Sequence, residues 1–194
     1  MSVAFNLTNS LKDNMDFINI VGKESGQPVE QCYQCGKCTA GCPVAFAMDY
    51  PPHRVLRMVQ LGLKENVLKS QAIWLCAGCS TCTSRCPRNV DLAQVMDSLR
   101  GLAKHEGVPL DDRARDVSLF YDCFLNTVKN NGKLHELGMM LNYNLKNKHL
   151  FKNANTGLAM FTRSKIKFLP AKTKNHRDVA KIFQRVHELE GEAR

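Results

Sequence analysis

No run of apolar residues in the 194-residue chain approaches the roughly 20 needed to cross a bilayer. That excludes a protein built on membrane-spanning helices. The opening Met1-Ser2-Val3-Ala4-Phe5-Asn6 lacks a charged region followed by an apolar stretch, so no secretory signal is expected. Neither G-x-G-x-x-G nor a P-loop occurs, and no Ser-His grouping suggests a nucleophile with its base. Alternation of apolar and polar residues is nearly absent, and residues 165–169, closed by Pro170, are the only passable strand. Glycine shows no collagen-like period, and 44% hydrophobic content is too high for a disordered chain.

Charge is present but uneven. Lys and Arg number 27 against 18 Asp and Glu, a formal net charge of +9. Residues 1–132 hold 14 basic and 13 acidic side chains, whereas residues 133–194 hold 13 and 5, so almost the whole surplus lies in the last third. Such a segment can meet nucleic acid, an anionic membrane surface or an acidic protein face. It contains no zinc-finger spacing and no aromatic RNA-binding motif, and arginine is sparse, so an acidic partner protein fits better than nucleic acid. Its Asn- and Lys-rich middle, residues 142–155, does not suggest an independent core.

Nine cysteines are too many for an ordinary reduced chain and too few for a small disulfide scaffold. Eight of them form an internal repeat. Cys32-Tyr33-Gln34-Cys35-Gly36-Lys37-Cys38-Thr39-Ala40-Gly41-Cys42-Pro43 recurs as Cys76-Ala77-Gly78-Cys79-Ser80-Thr81-Cys82-Thr83-Ser84-Arg85-Cys86-Pro87. Both runs read C-x2-C-x2-C-x3-C-P, the pattern of cubane [4Fe–4S] ligation. Three thiolates at this interval wrap one face of a cube, while the proline turns the fourth away toward the other cluster. The expected quartets are therefore Cys32, Cys35, Cys38 and Cys86 for one cluster, and Cys76, Cys79, Cys82 and Cys42 for the other. Two such clusters, each near −2 with its thiolates, would bring the net charge to about +5. Four-cysteine zinc sites use two separated C-x2-C pairs, which this pattern matches poorly. Gly36 lets backbone approach a cluster closely, and Lys37 and Arg85, inside the runs, are candidates to tune it by charge.

Around the runs the periodicity is helical. Pro51-Pro52 opens a helix over 54–63, with Val55, Leu56, Val59 and Leu63 on one face and Gly62 near its stop. Asp91 is expected to cap a helix over 92–105, striped by Leu92, Val95, Met96, Leu99 and Leu102. Val117, Phe120, Tyr121, Phe124 and Val128 mark a further helix ending at Asn130-Asn131-Gly132. Val179, Ile182, Phe183, Val186 and Leu189 mark a terminal amphipathic one, and residues 13–21 a shorter one. The fold class is mainly α, a helical domain binding two clusters at 29–107, with an N-terminal extension (1–28) and a helical, basic, partner-docking region (108–194). Trp74 reads as packing beside a cluster, and Cys123, left over from the runs, as a small buried hydrophobe. The six histidines are scattered, with no spacing that suggests haem or zinc.

The first run with Tyr33-Gln34 and Gly36-Lys37, then Pro52-His53-Arg54, Met58-Val59-Gln60-Leu61-Gly62, Ile73-Trp74-Leu75-Cys76-Ala77-Gly78-Cys79 and Arg85-Cys86-Pro87, closely resembles the C subunit of heterodisulfide reductase. The likeness is strong over about 29–105 and looser beyond. The cysteine pattern alone is shared with iron–sulfur subunits of quinone-linked dehydrogenases such as succinate dehydrogenase. The resemblance implies an α-helical ferredoxin fold in a cytoplasmic oxidoreductase complex. It implies electrons relayed from a flavin-containing A subunit to the B subunit that reduces the coenzyme M–coenzyme B heterodisulfide in methanogenesis. A hydrogenase or formate dehydrogenase module is a further candidate partner. With all eight matching thiols used as ligands, no catalytic residue of its own is expected in this chain. A zinc-stapled, nucleic-acid-binding module is the alternative from a different class.

Overall fold

The computed structural model describes residues 7–147 and 172–192, with side chains for 16–147 and 172–189. Among these residues the structure is helical, with no strand. The passable strand at 165–169 and much of the Asn- and Lys-rich stretch lie outside the described residues. The described residues up to Arg115 form one compact unit and those from Asp116 a second.

The first unit contains α1 (Leu7–Ser25), α2 (Lys37–Ala40), α3 (Pro52–Gln60), α4 (Lys64–Leu68), α5 (Gln71–Leu75), α6 (Thr81–Ser84) and α7 (Leu92–His105). Its core is made where α1 packs on α7 and α3. Phe17 and Val21 from α1, Val55, Leu56 and Val59 from α3, and Leu92, Val95, Met96 and Leu99 from α7 are all buried. Each such side chain is worth roughly 1.5–3 kcal/mol when fully buried. The segment expected as an N-terminal extension thus supplies part of this core. It starts earlier than the 13–21 stretch suggested by periodicity, and it is continued into the first cysteine run by buried Val29.

The helix ends follow from local chemistry. Asp91 caps α7, its carboxylate accepting from the Ala93 and Gln94 N–H groups at 3.0 and 3.2 Å. Gly62 and Gly107 take positive φ just past α3 and α7, where the N–H groups of Leu63 and Val108 close Schellman turns on Met58 and Ala103. Ser70 caps α5 through the Ala72 N–H, and Asp49 accepts from the same N–H and from that of Gln71.

α8 (Asp112–Asn131) begins at the end of the first unit and stops at Gly132, where φ is +73°. The second unit continues with α9 (Glu136–Lys146) and α10 (His176–Glu192). Periodicity did not suggest α9, although most of its residues, among them Leu137, Met139, Met140, Leu141 and Leu145, are good helix formers. The helix is started by His135, whose Nδ1 accepts from the Gly138 N–H, and is anchored by buried Met139. Cys123 on α8 is fully buried, as expected, and burial pushes its thiol pKa up. Phe120 and Tyr121, expected on the apolar stripe, remain 42% and 37% exposed, with Phe120 edge-on to the Tyr143 ring.

Candidate metal centre

The two cysteine runs fold the same way. In each, a short helical segment ends at the first cysteine: Val29–Gln31 at Cys32, and α5 at Cys76. The residue before the second cysteine then takes positive φ (Gln34 +63°, Gly78 +61°), and so does the residue after it (Gly36 +74°, Ser80 +55°). A single helical turn follows, α2 or α6, carrying the third cysteine. Two left-handed residues per run curl the backbone so that three thiols face one side. Glycine reaches this region freely, whereas Gln34 and Ser80 hold it at a cost of about 1 kcal/mol each.

Equivalent bonds fasten each run to the helix behind it. The threonine after the third cysteine reaches the start of that helix: Thr39 Oγ1 lies 2.7 Å from His53 Nδ1 and accepts from the His53 N–H, while Thr83 Oγ1 donates to Asp91 at 2.6 Å. The carbonyl of the first cysteine is held from the far end of the same helix. Gln60 Nε2 donates to Cys32 O at 2.8 Å, and Arg100 Nη1 donates to Cys76 O at 3.3 Å. Gln27 joins the halves, accepting from the Asp91 N–H and donating to Gln94. α2 packs on α6, bringing the runs together.

Two recesses result. One, about 380 Å³, is lined by Cys76, Cys79 and Cys82 of the second run and Cys42 of the first. Val44, Met48, Leu92 and Met96 complete an otherwise apolar wall. The other, about 340 Å³, is lined by Cys32, Cys35 and Cys38 of the first run and Cys86 of the second, with Gly36, Lys37, His53 and Leu56. Cys82 borders both. Gly36 and Lys37 thus stand on a recess wall. Arg85 lines neither: it lies across Gly41, where an added Cβ would meet its Cδ at 2.6 Å.

The thiols surround a space and not a point. Among the described residues, no three His, Cys, Asp or Glu side chains group as they would on a single ion. Tetrahedral zinc draws four donors to about 2.0–2.3 Å of one centre, whereas a cubane spreads its thiolates over the corners of a four-iron body. A thiol donor set around a small, mostly apolar recess therefore fits an iron–sulfur cluster. Burial pushes the thiol pKa of Cys38, Cys76 and Cys82 up, opposed at Cys38 by bonds from Thr39, at Cys82 by bonds from Thr83, and at Cys76 by the Gly78 N–H and the Arg100 charge. Cys79, exposed, is lowered by its hydrogen bond to Thr81. Sulfur also accepts at Cys86, from the Val90 N–H at 3.3 Å, and at Cys32, from Gln34 Nε2 at 3.4 Å.

The fastening roles of His53, Gln60, Thr39 and Arg100 were not found by sequence reasoning. The one available signal was that Thr39 and Thr83 occupy the same place in the repeat; their partners follow no common spacing.

Residues 28–90 match the 4Fe-4S dicluster domain family. The chain is 42% identical over 108 residues to the CoB–CoM heterodisulfide reductase iron-sulfur C subunit of Methanopyrus kandleri, covering 46% of this chain and 56% of that protein. It is 38% identical over 102 residues to the corresponding C 2 subunit of Methanocaldococcus jannaschii, covering 48% and 54%. It is 40% identical over 86 residues to the ferredoxin:CoB–CoM heterodisulfide reductase C subunit of Methanosarcina acetivorans, covering 44% and 34%. The chain spans about half the length of most of the curated relatives it matches. The resemblance to the C subunit of heterodisulfide reductase is borne out over this shared segment, as is a mainly α, ferredoxin-like fold. No helix among the described residues is long and apolar enough to cross a membrane.

Proposed function

We propose that the chain is the two-cluster electron relay of a heterodisulfide-reductase-type complex. One [4Fe–4S] cluster is held by Cys32, Cys35, Cys38 and Cys86, and the other by Cys76, Cys79, Cys82 and Cys42. The observation that carries this reading is the composition of the two recesses: each is lined by the first three cysteines of one run and the last cysteine of the other, with Cys82 bordering both. When bound, each cluster supplies a reversible one-electron store. The chain's own residues hold the thiols in place, keep water from the apolar walls, and donate N–H groups to sulfur at Cys32 and Cys86.

On this reading the chain performs no bond chemistry. It works as a cytoplasmic component between the B subunit that reduces the heterodisulfide and a flavin-bearing A subunit. Relatives are named for complexes that use hydrogen, formate or ferredoxin, so a hydrogenase or formate dehydrogenase module belongs among the candidate partners. The second unit is assigned to docking. Ile182, Val186 and Leu189 lie along one stripe of α10 and are 46–62% exposed, in a region with a surplus of cations. Anaerobic purification from the native host tests the assignment. Brown protein with about eight irons, accompanied by a soluble flavoprotein and a second iron–sulfur protein, is the expected result. Accompaniment by a haem-containing membrane protein would redirect the relay to a quinone enzyme, and colourless zinc protein would overturn it.

A further inference from the structure

The two recesses open onto surfaces of different character. Beside the recess of Cys32, Cys35 and Cys38, Lys37 stands on the wall, Arg54 and Arg57 project three residues apart from one side of α3, and Arg88 leans on Gln31; all four cations are exposed. Two are tethered. Arg57 Nη1 donates to Gln60, the residue that holds the Cys32 carbonyl, and Arg88 Nη2 donates to Gln31, the residue before Cys32. Among the described residues none of the four pairs with a carboxylate, a trait they share with Lys23, Arg85 and Arg113, whereas Lys64, Lys69, Arg100 and Arg115 are paired. Glu30 is the acidic residue in the lead-in to this run. Tyr33, 60% exposed, stands between Cys32 and Cys35, and Cys35 itself is exposed. Charge is sparser around the second run: Ala77, Gly78 and Ser80 around exposed Cys79 carry none, Arg85 lies across Gly41, and the cation behind the run, Arg100, is engaged by Asp97.

Four exposed cations without carboxylate partners, two of them tethered to glutamines, together with an exposed aromatic ring and an exposed ligand thiol, fit an oppositely charged protein face. We propose that the surface of Lys37, Arg54, Arg57 and Arg88 around Tyr33 is the docking site of a one-electron redox protein with a carboxylate-rich face. Electrons cross there to or from the first cluster, while the more sparsely charged second side faces a different neighbour. The inference rests on the reading of Cys32, Cys35, Cys38 and Cys86 as cluster ligands. One electron leaves the reduced centre of the partner and arrives on the oxidised cluster; no bond is made or broken and no proton moves. The positive surface steers encounter, and Tyr33 supplies apolar contact at its centre.

The test uses the full-length chain loaded anaerobically with iron and sulfide, and a reduced plant-type ferredoxin as the acidic [2Fe–2S] probe. Its bimolecular rate of cluster reduction is followed by stopped flow against ionic strength, and iron content and midpoint potentials are measured on every sample. For the unaltered chain the rate is expected to fall steeply with salt. Arg57→Glu with Arg88→Glu should slow it about tenfold or more at low salt and flatten the salt dependence. Lys64→Glu with Lys69→Glu, the same change in net charge away from the patch, should slow it far less. A rate indifferent to salt, or equal slowing by both double variants at unchanged iron content and potential, overturns the docking site while leaving the clusters standing. Absence of iron–sulfur clusters from the loaded unaltered chain overturns the cluster reading itself, and the docking site with it.

Discussion

The two cysteine runs share a backbone path but not their surroundings. In both, positive-φ residues flank the second cysteine, a threonine reaches the next helix, and a side chain from the end of that helix holds the first carbonyl. Yet the threonine partner is a histidine in one and an aspartate in the other, and the carbonyl is held by neutral Gln60 in one and cationic Arg100 in the other. What is common to both halves is what thiol placement demands. What differs is free to set potential and choose neighbours, since charge and hydrogen bonding around a cluster tune its potential.

The sharpest way to break the comparison is to remove the exchanged ligands. Cys42→Ser should share its spectroscopic damage with Cys76→Ser and not with Cys32→Ser, and Cys86→Ser should show the converse. Iron is expected to drop from about eight to about four or fewer in each, with a large loss of stability because metal binding is linked to folding. Iron analysis with EPR of the reduced protein reads both. Cys123→Ser, at a site belonging to neither run, should leave the iron unchanged.

The fastenings come next. Asp91→Ala removes the cap of α7 and the partner of Thr83, and should cost about 2 kcal/mol. Thr39→Val removes the bonds to the His53 ring and to the His53 N–H in the first turn of α3, and should cost about 1 kcal/mol. Anaerobic denaturant unfolding of the iron-loaded chain measures both, and equal losses would remove this distinction between the halves.

A smaller contrast concerns the left-handed positions. An added Cβ at Gly78 meets nothing within 4 Å, so Gly78→Ala should be costly through backbone strain alone, about 1 kcal/mol. Ser80→Gly should be neutral or stabilising by less than about 1 kcal/mol, since relief of strain is offset by chain entropy. The same unfolding measurement reads these.

The least effect is expected at Lys37. A cation about 8 Å away at an effective dielectric near 20 is worth about 2 kcal/mol, or about 90 mV for one electron. Lys37 is exposed, so screening reduces this to tens of millivolts. Lys37→Ala should lower the potential of the first cluster alone in a redox titration; an equal shift of both would show that the recesses are not electrically distinct.

The helices that build the first unit were readable because each carries its own signals. Asp91 precedes the stripe of Leu92, Val95, Met96 and Leu99, and the structure buries all four behind that cap. Leu102, at the end of the same stripe, is only half-buried. Trp74, expected to pack beside a cluster, is buried in the core and lines neither recess, and among the described residues its indole N–H has no partner. The cysteine spacing announced its chemistry because ligand geometry requires that interval within one stretch of chain. The Thr39–His53, Gln60–Cys32 and Arg100–Cys76 bonds were not readable, since each joins residues 14 to 28 apart that meet only after α3 and α7 have packed. α9 was missed although its Leu and Met residues favour a helix, because Asn142, Asn144 and the Asn- and Lys-rich stretch that follows led the segment to be read by its composition.

The exchange of the fourth ligand between the runs is tested most directly by iron anomalous diffraction from anaerobically grown crystals. The account predicts two separate four-iron centres, one contacting Cys32, Cys35, Cys38 and Cys86 and the other Cys76, Cys79, Cys82 and Cys42. Two centres each closed by the four cysteines of a single run, or lone metal ions in their place, would contradict it.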